Sequence, residues 1–180
     1  MTATLPATLP ATADAVVLAK IESPVGLLLA GATERGICLL EFSDPERLEK
    51  QLGSIRRHYS SKTEEGSNPH LDQLKIELTE YFAGTLREFT VPLDVVGSDF
   101  QKTVWQQLRD IPYGETRSYE DIAVAAGSPK SMRAVGTANG QNRIAIVVPC
   151  HRVINKGGKL GGYGGGLDRK KFLLDLERQP

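Results

Sequence analysis

At 180 residues, 40% hydrophobic and 24% charged, the chain has the make-up of one ordinary globular domain or two small ones, which excludes the disordered and fibrous classes. No apolar run nears the roughly 20 residues of a membrane span and no basic-then-apolar leader opens the chain, so the expectation is a cytoplasmic protein with no membrane contact. The zero net charge hides an asymmetry, 9 Lys+Arg against 14 Asp+Glu in residues 1–97 but 13 against 8 in residues 98–180, which fits a polyanion partner and two differently solvated surfaces equally well.

Residues 1–14 repeat A-T-L-P twice without helical or strand periodicity and read as a disordered or extended tail. From Ala15 the texture is strand-like: VVLAKI, then VGLLLA and GICLLEF around the turn-rich GATERG, a β-hairpin pattern with Cys38 as a small buried hydrophobe. Asp44 stands as a helix cap with Pro45 at the first position, and Leu48, Leu52 and Ile55 share one face. A second helix runs from near Leu71 to Phe82 and ends at Gly84. Phe89, Val91, Leu93 and Val95 then alternate with period two, which predicts a half-buried strand. Residues 15–95 thus read as a small α/β domain.

A second domain, residues 96–180, opens with Ser98 capping a helix whose buried face carries Phe100, Val104 and Leu108. Ile111-Pro112-Tyr113-Gly114 breaks it, Ser118 caps the next helix, Gly127 ends that one, and a further helix is expected from about Pro129 to Asn139. Two short helices joined by a Gly-containing turn form a helix-turn-helix pattern, a weak pointer to DNA when taken alone.

The chemistry concentrates where the apolar run Ile144 to Val148 delivers Pro149-Cys150-His151-Arg152 into a polar corner. A thiol of ordinary pKa, about 8.5, is only a few per cent thiolate at neutral pH, so a positioned nucleophile needs a nearby base or cation, and His151 and Arg152 offer both. Adjacent side chains point apart, so His151 would act through a bridging water. The plainer alternative is a buried cysteine beside a satisfied histidine. Cys38 and Cys150 read as two free thiols, and no C-x-x-C pair or His cluster suggests a metal. In Asn155 to Gly166 the glycines suggest a phosphate loop, but Lys159 is followed by Leu160 rather than Ser or Thr.

The run Ile146-Val-Val-Pro-Cys150-His-Arg-Val-Ile154, with Asn142 eight residues before the cysteine, resembles the active-site motif of the O6-alkylguanine-DNA alkyltransferases. The similarity extends in order through Phe100 to Trp105, Ile111 to Glu115, Ser118-Tyr119, Arg133 to Gly136, Gly162-Tyr163 and the final helix from Lys170 to Glu177. It implies a ribonuclease-H-like α/β first domain and a mainly helical, winged-helix-like second one. Cys150 would be the single-use thiolate that takes the alkyl group from O6-alkylguanine, with O4-alkylthymine a further candidate substrate. His151 would be the base and Glu177 its orienter, Tyr119 the proton donor to the guanine ring, and Asn142 a support of the turn. Arg133 would fill the place of the flipped base in double-stranded DNA, with Ala134, Gly136 and Ala138 letting its helix into the minor groove. Tyr163 would wall the pocket, and backbone groups of Cys150 and Val153 would read the exocyclic amine. Gly164 stands where some relatives have a serine able to bond the guanine oxygen. The resemblance implies no cofactor and no metal, and a monomer with room for cooperativity on DNA. Competing readings are a lesion-recognition protein without transfer, which the presence of Cys150 opposes, a redox-sensing winged-helix regulator, and a cysteine hydrolase.

Overall fold

The computed structural model describes residues 15–60 and 62–180; the segment expected as a tail lies outside them. A four-stranded sheet of order β3-β2-β1-β4 is built from β1 (Val16–Ile21), β2 (Leu28–Ala32), β3 (Ile37–Phe42) and β4 (Thr63–Glu65). The first three strands pair antiparallel, and β4, absent from the sequence reading, adds parallel to β1. Every residue of β2 and β3 is buried because both faces of the sheet are covered. On one side Val16, Leu18, Leu29, Cys38 and Leu39 pack with Leu52, Ile55 and Tyr59 of α1 (Pro45–Tyr59). On the other, Leu28, Ala30, Ile37, Leu40 and Phe42 meet Leu71, Leu74, Leu78 and Tyr81 of α2 (Pro69–Phe82), and that core continues into the helical region.

Two expectations for this region are corrected. Asp44 stands at the N-cap of α1 but makes no capping bond; its carboxylate instead accepts from Arg169 Nη1 at 2.7 Å, tying the helix to the end of the chain. The stretch Phe89–Val95 is no ladder strand. Only a bridge forms there, with Ile37 N–H donating to Pro92 O and Asp94 N–H to Ile37 O, both at 2.8 Å. Upstream, the Glu77 carboxylate takes the place of a neighbouring strand: it accepts from Thr90 N–H at 3.1 Å, Thr90 Oγ1 at 2.5 Å and Val91 N–H at 3.2 Å. Alternating side chains were there, but a side chain rather than a backbone satisfied the donors.

The second region holds α3 (Asp99–Arg109), β5 (Arg117–Ser118), α4 (Tyr119–Ala125), α5 (Met132–Gly140), β6 (Val153–Ile154) and α6 (Leu167–Arg178), with β5 and β6 paired in parallel. Ser98 and Ser118 each close a reciprocal capping box, with Gln101 and Asp121, so the starts of α3 and α4 are written locally. The helix expected from Pro129 begins at Met132 instead, because Ser128 to Ser131 close a turn through Ser131 N–H to Ser128 O at 2.9 Å. The two regions are joined along the free edge of β3: Leu40 N–H donates to Arg143 O at 2.9 Å and Ala145 N–H to Leu40 O at 2.8 Å. That pairing fixes the backbone just upstream of Pro149-Cys150.

The Glu77 carboxyl is buried, which raises its pKa, yet the bonds from Thr90, Gln73 and Val91 outweigh burial and hold it below the ordinary value. Glu77→Ala would strand these donors and is expected to lower stability by about 2–3 kcal/mol, measured as a fall in the urea midpoint at unchanged slope.

Candidate active site

Cys150 heads a single 3-10 turn, Cys150–Arg152, and is buried. The preceding loop is tightly wound: Val147 N–H donates to Ala145 O and Cys150 N–H to Val148 O, each at 2.8 Å, and Ile146 sits at φ 71°, a left-handed conformation costly for a β-branched residue. The buried amide of Asn142 holds it in place. Its Oδ1 accepts from Ile144 N–H at 2.9 Å, and its Nδ2 donates to Val148 O at 2.8 Å and towards Cys150 Sγ at 3.2 Å. The role expected for Asn142 was support of the turn; the structure adds direct contact with the sulfur.

His151 is fully buried, with Nε2 2.9 Å from Glu177 Oε1. A nitrogen facing a carboxylate is assigned the proton, which leaves Nδ1 as the basic atom, and Nδ1 has no protein partner among the described residues. Glu177, a charged residue on a charged helix, is buried too. It accepts from Tyr81 Oη at 3.0 Å and from Arg152 Nη2 at 2.7 Å as well as from His151. Burial raises its pKa, but the bonds from His151 and Arg152 overcome this and bring it down to about 2.

One element of the activation scheme is corrected. Arg152 does not serve the thiol: it spends its guanidinium on Glu177 and on Ile111 O, the latter at 2.7 Å. The cations that favour the Cys150 thiolate are Arg47 and Lys170, opposed by Glu41. Burial outweighs both cations and the Asn142 bond, so the thiol pKa lies above its ordinary value, while burial drives His151 below its own. At rest both are neutral.

Cys150 opens into a cavity of about 210 Å³ whose walls include Tyr119, Gly136, Asn139, Tyr163, Gly164 and Arg47. Tyr119 is kept protonated by burial and by the nearby sulfur. The Tyr163 hydroxyl is buried with no hydrogen-bond partner among the described residues, and its ring meets Phe42 edge-on at 6.0 Å between centroids. Arg133 and Ala134 are exposed on α5 outside the cavity. Val153 is not brought to the wall: it is wholly buried, its N–H donates to Cys150 O, and its carbonyl accepts from Lys170 Nζ at 2.7 Å.

The sequence reading missed several residues. Lys170, buried in α6, also donates to the carbonyls of Leu160 and Gly162 and so fastens the glycine-rich loop beneath Tyr163; burial lowers its pKa to about 8. Arg47 reaches across from α1 to Gly140 O at 3.1 Å, with Nε 3.0 Å from the fully buried Glu41 carboxylate. A Cβ on Gly164 would lie 2.4 Å from Arg47 Cζ. A serine here is therefore incompatible with Arg47 in its present position, and the two residues form one unit of the wall.

Fold and site together define a protein that presents a buried cysteine, beside a His–Glu pair, in a cavity against a helix-turn-helix. The comparisons are specific. Residues 16–95 match the family model for the 6-O-methylguanine DNA methyltransferase ribonuclease-like domain, and residues 99–179 that for its DNA binding domain. The methylated-DNA--protein-cysteine methyltransferase of Mycobacterium leprae is 60% identical over 159 residues, 88% of this chain and 90% of that protein. The constitutive one of Bacillus subtilis is 45% identical over 158 residues, covering 87% and 92%. The crystal structure of Mycobacterium tuberculosis OGT in complex with DNA superposes with a TM-score of 0.76 at 43% identity, covering 91% of this chain and 92% of that one. The chain belongs to the 6-O-methylguanine DNA methyltransferase family.

Two outcomes follow from this geometry. Because Glu177 titrates near 2 when folded and near its ordinary value when unfolded, its contribution is complete above pH 4.5 and vanishes as pH falls towards 2. The wild-type protein should lose roughly 3 kcal/mol more than Glu177→Gln over that interval in urea titrations. Gly164→Ser should cost about 1–3 kcal/mol by displacing the guanidinium, and adding Arg47→Ala should make the serine nearly neutral in a double-mutant cycle; equal costs in both backgrounds would deny the coupling.

Proposed function

We propose that this protein repairs DNA directly, taking the alkyl group of O6-alkylguanine onto Cys150 in a reaction each molecule performs once. The observation that carries this is the Cys150 thiol, bonded by Asn142 at 3.2 Å inside a cavity that Tyr119 and Tyr163 also line. Neutral His151, its Nε2 proton engaged by Glu177, receives the thiol proton at Nδ1 through a water. The thiolate then attacks the alkyl carbon in line, the carbon–oxygen bond breaks as the carbon–sulfur bond forms, and guanine leaves with the electron pair. Tyr119, protonated and in the cavity, delivers a proton to the guanine ring as that charge develops. The imidazolium formed is stabilised by Glu177. A thioether has no hydrolytic exit, so Cys150 is not regenerated.

The base must leave the duplex to reach the cavity, at a cost of a few kcal/mol. Exposed Arg133 at the start of α5 supplies the side chain that takes its place, and the small residues Ala134 and Gly136 leave that helix narrow enough for the minor groove. Residues 96–180 carry DNA and chemistry, and residues 15–95 back the pocket through Arg47 and Tyr81. The protein acts as a cytoplasmic monomer needing no cofactor. Among the described residues no helix is long and apolar enough to cross a membrane.

Intact mass after incubation with duplex DNA holding one O6-methylguanine is the test. A gain of one methylene per molecule on Cys150, saturating at one equivalent and absent from Cys150→Ala, is expected; lesion-selective binding at unchanged mass would make this a recognition protein. The transfer rate should hold level down to below pH 6.5, because burial lowers the His151 pKa, and fall once the imidazole protonates.

A further inference from the structure

Beside the active-site cavity lies a second cleft of about 210 Å³, formed where α1 faces the residues that follow α5. Arg47, Lys50, Ser54 and Arg57 lie three to four residues apart on one stripe of α1 and meet Gln141 and Arg143 across it. Four of the lining side chains are cationic and none is a carboxylate. Of the acidic neighbours, Glu41 pairs with Arg47 from inside the core, leaving Lys50, Arg57 and Arg143 towards the cleft, and Glu49 lies 3.9 Å from Arg56. Arg143 forms the rigid floor. Its Nη1 donates to Val96 O at 2.5 Å and its Nη2 to Ser54 Oγ at 2.9 Å, and it lies over the Trp105 ring. Its Nε is buried and has no hydrogen-bond partner among the described residues. Burial and the proximity of Arg57 both disfavour its charge.

The position of the cleft says which anion reaches it. Arg47 and Gly140 line both this cleft and the Cys150 cavity, so the two open side by side at the C-terminal end of α5, with Arg133 at the other end of the same helix. A nine-residue helix is about 13 Å long, and a duplex places a phosphate about every 3.4 Å along each strand. DNA laid over α5 with its lesion at Cys150 therefore brings backbone phosphates to this end. We propose that the cleft of Lys50, Arg57 and Arg143 seats a phosphodiester of the DNA strand near the lesion, so that α1 of the sheet region holds the duplex together with the helical region. The proposal rests on the repair function argued above and adds a contact from the half of the chain whose net charge is acidic.

The test compares Lys50→Ala/Arg57→Ala, both exposed on α1, with wild type and with Lys75→Ala, an exposed charge on α2, for binding to duplex DNA across a salt series. Thermal melting verifies folding, and intact mass at saturating duplex reads alkyl transfer. Loss of one phosphate contact should flatten the log Kd against log salt slope by about 0.9 and weaken binding roughly tenfold at physiological salt, with transfer to Cys150 at saturation unchanged. A slope equal to that of wild type, or a change matched by Lys75→Ala, would overturn the proposal. So would inorganic phosphate that binds wild type but not the double variant while both bind duplex alike, since the cleft would then be an anion site off the DNA path. A wild type that binds duplex yet transfers nothing would sink the repair reading alone, whereas a transferring wild type with an unaltered double-variant slope would sink only this cleft.

Discussion

A carboxylate removed from water survives as an ion only if donors replace its hydration, and Glu177 of α6 meets that demand with groups from two other parts of the chain. Tyr81 comes from α2, His151 and Arg152 from the turn after Cys150, and Arg152 in turn reaches Ile111 O behind α3. None of these donors can be withdrawn without leaving charge or a polar group stranded in the core. The final helix, the sheet region and the nucleophile turn are therefore held in one arrangement by a single buried ion. The same bond that orients the imidazole also fastens α6 to the rest of the molecule, so chemistry and stability are not separable at this residue.

The second constraint is the open edge of β3, which would otherwise present unpaired backbone groups. Leu93 covers it at Ile37 and Ile144 covers it at Leu40. From that anchorage five residues separate Ile144 from Cys150. The chain accepts Ile146 at φ 71° and closes the path with Asn142, whose amide bonds Ile144, Val148 and the sulfur at once. The loop that docks on the sheet edge at Leu40 is the one that leads to Cys150, which gives the sheet region a part in placing a sulfur it does not itself contain.

What sequence reading could reach follows from where information is local. The capping boxes at Ser98 and Ser118 involve residues three apart, and both helix starts were legible for that reason. Cys150 stood out because an apolar run ended abruptly in Cys-His-Arg. Periodicity also set out the hairpin and α1. It misjudged Phe89–Val95 because alternation describes which side chains are buried, and says nothing about whether a carboxylate such as Glu77 will satisfy the backbone instead of a strand. The role of Arg152 was misassigned for the same reason: adjacency to Cys150 along the chain is not adjacency to its sulfur. Charged residues that prove buried, among them Glu41, Lys170 and Glu177, carry no local signal at all, since a helix pattern cannot reveal that its polar face meets another lobe. Only the family resemblance pointed to Glu177, and nothing pointed to Arg47 or Lys170.

Those two unforeseen cations clarify how a buried thiol can be stable and still react. Burial keeps the Cys150 proton on the sulfur and keeps His151 uncharged. In the reaction proposed above, proton transfer from Cys150 to His151 creates a thiolate and an imidazolium together, with Arg47 and Lys170 near the sulfur and Glu177 on the ring. The charges that would stabilise that ion pair are fixed by folding, Arg47 by the carbonyls of Gly140 and Asn142 and Lys170 by the carbonyl of Val153 in β6 and two carbonyls of the loop it secures. Counter-charges held in place before the thiolate forms are the condition under which electrostatic stabilisation is most effective. On the proposed reading the sulfur stays protonated in the resting cavity and becomes nucleophilic only as its proton passes to His151.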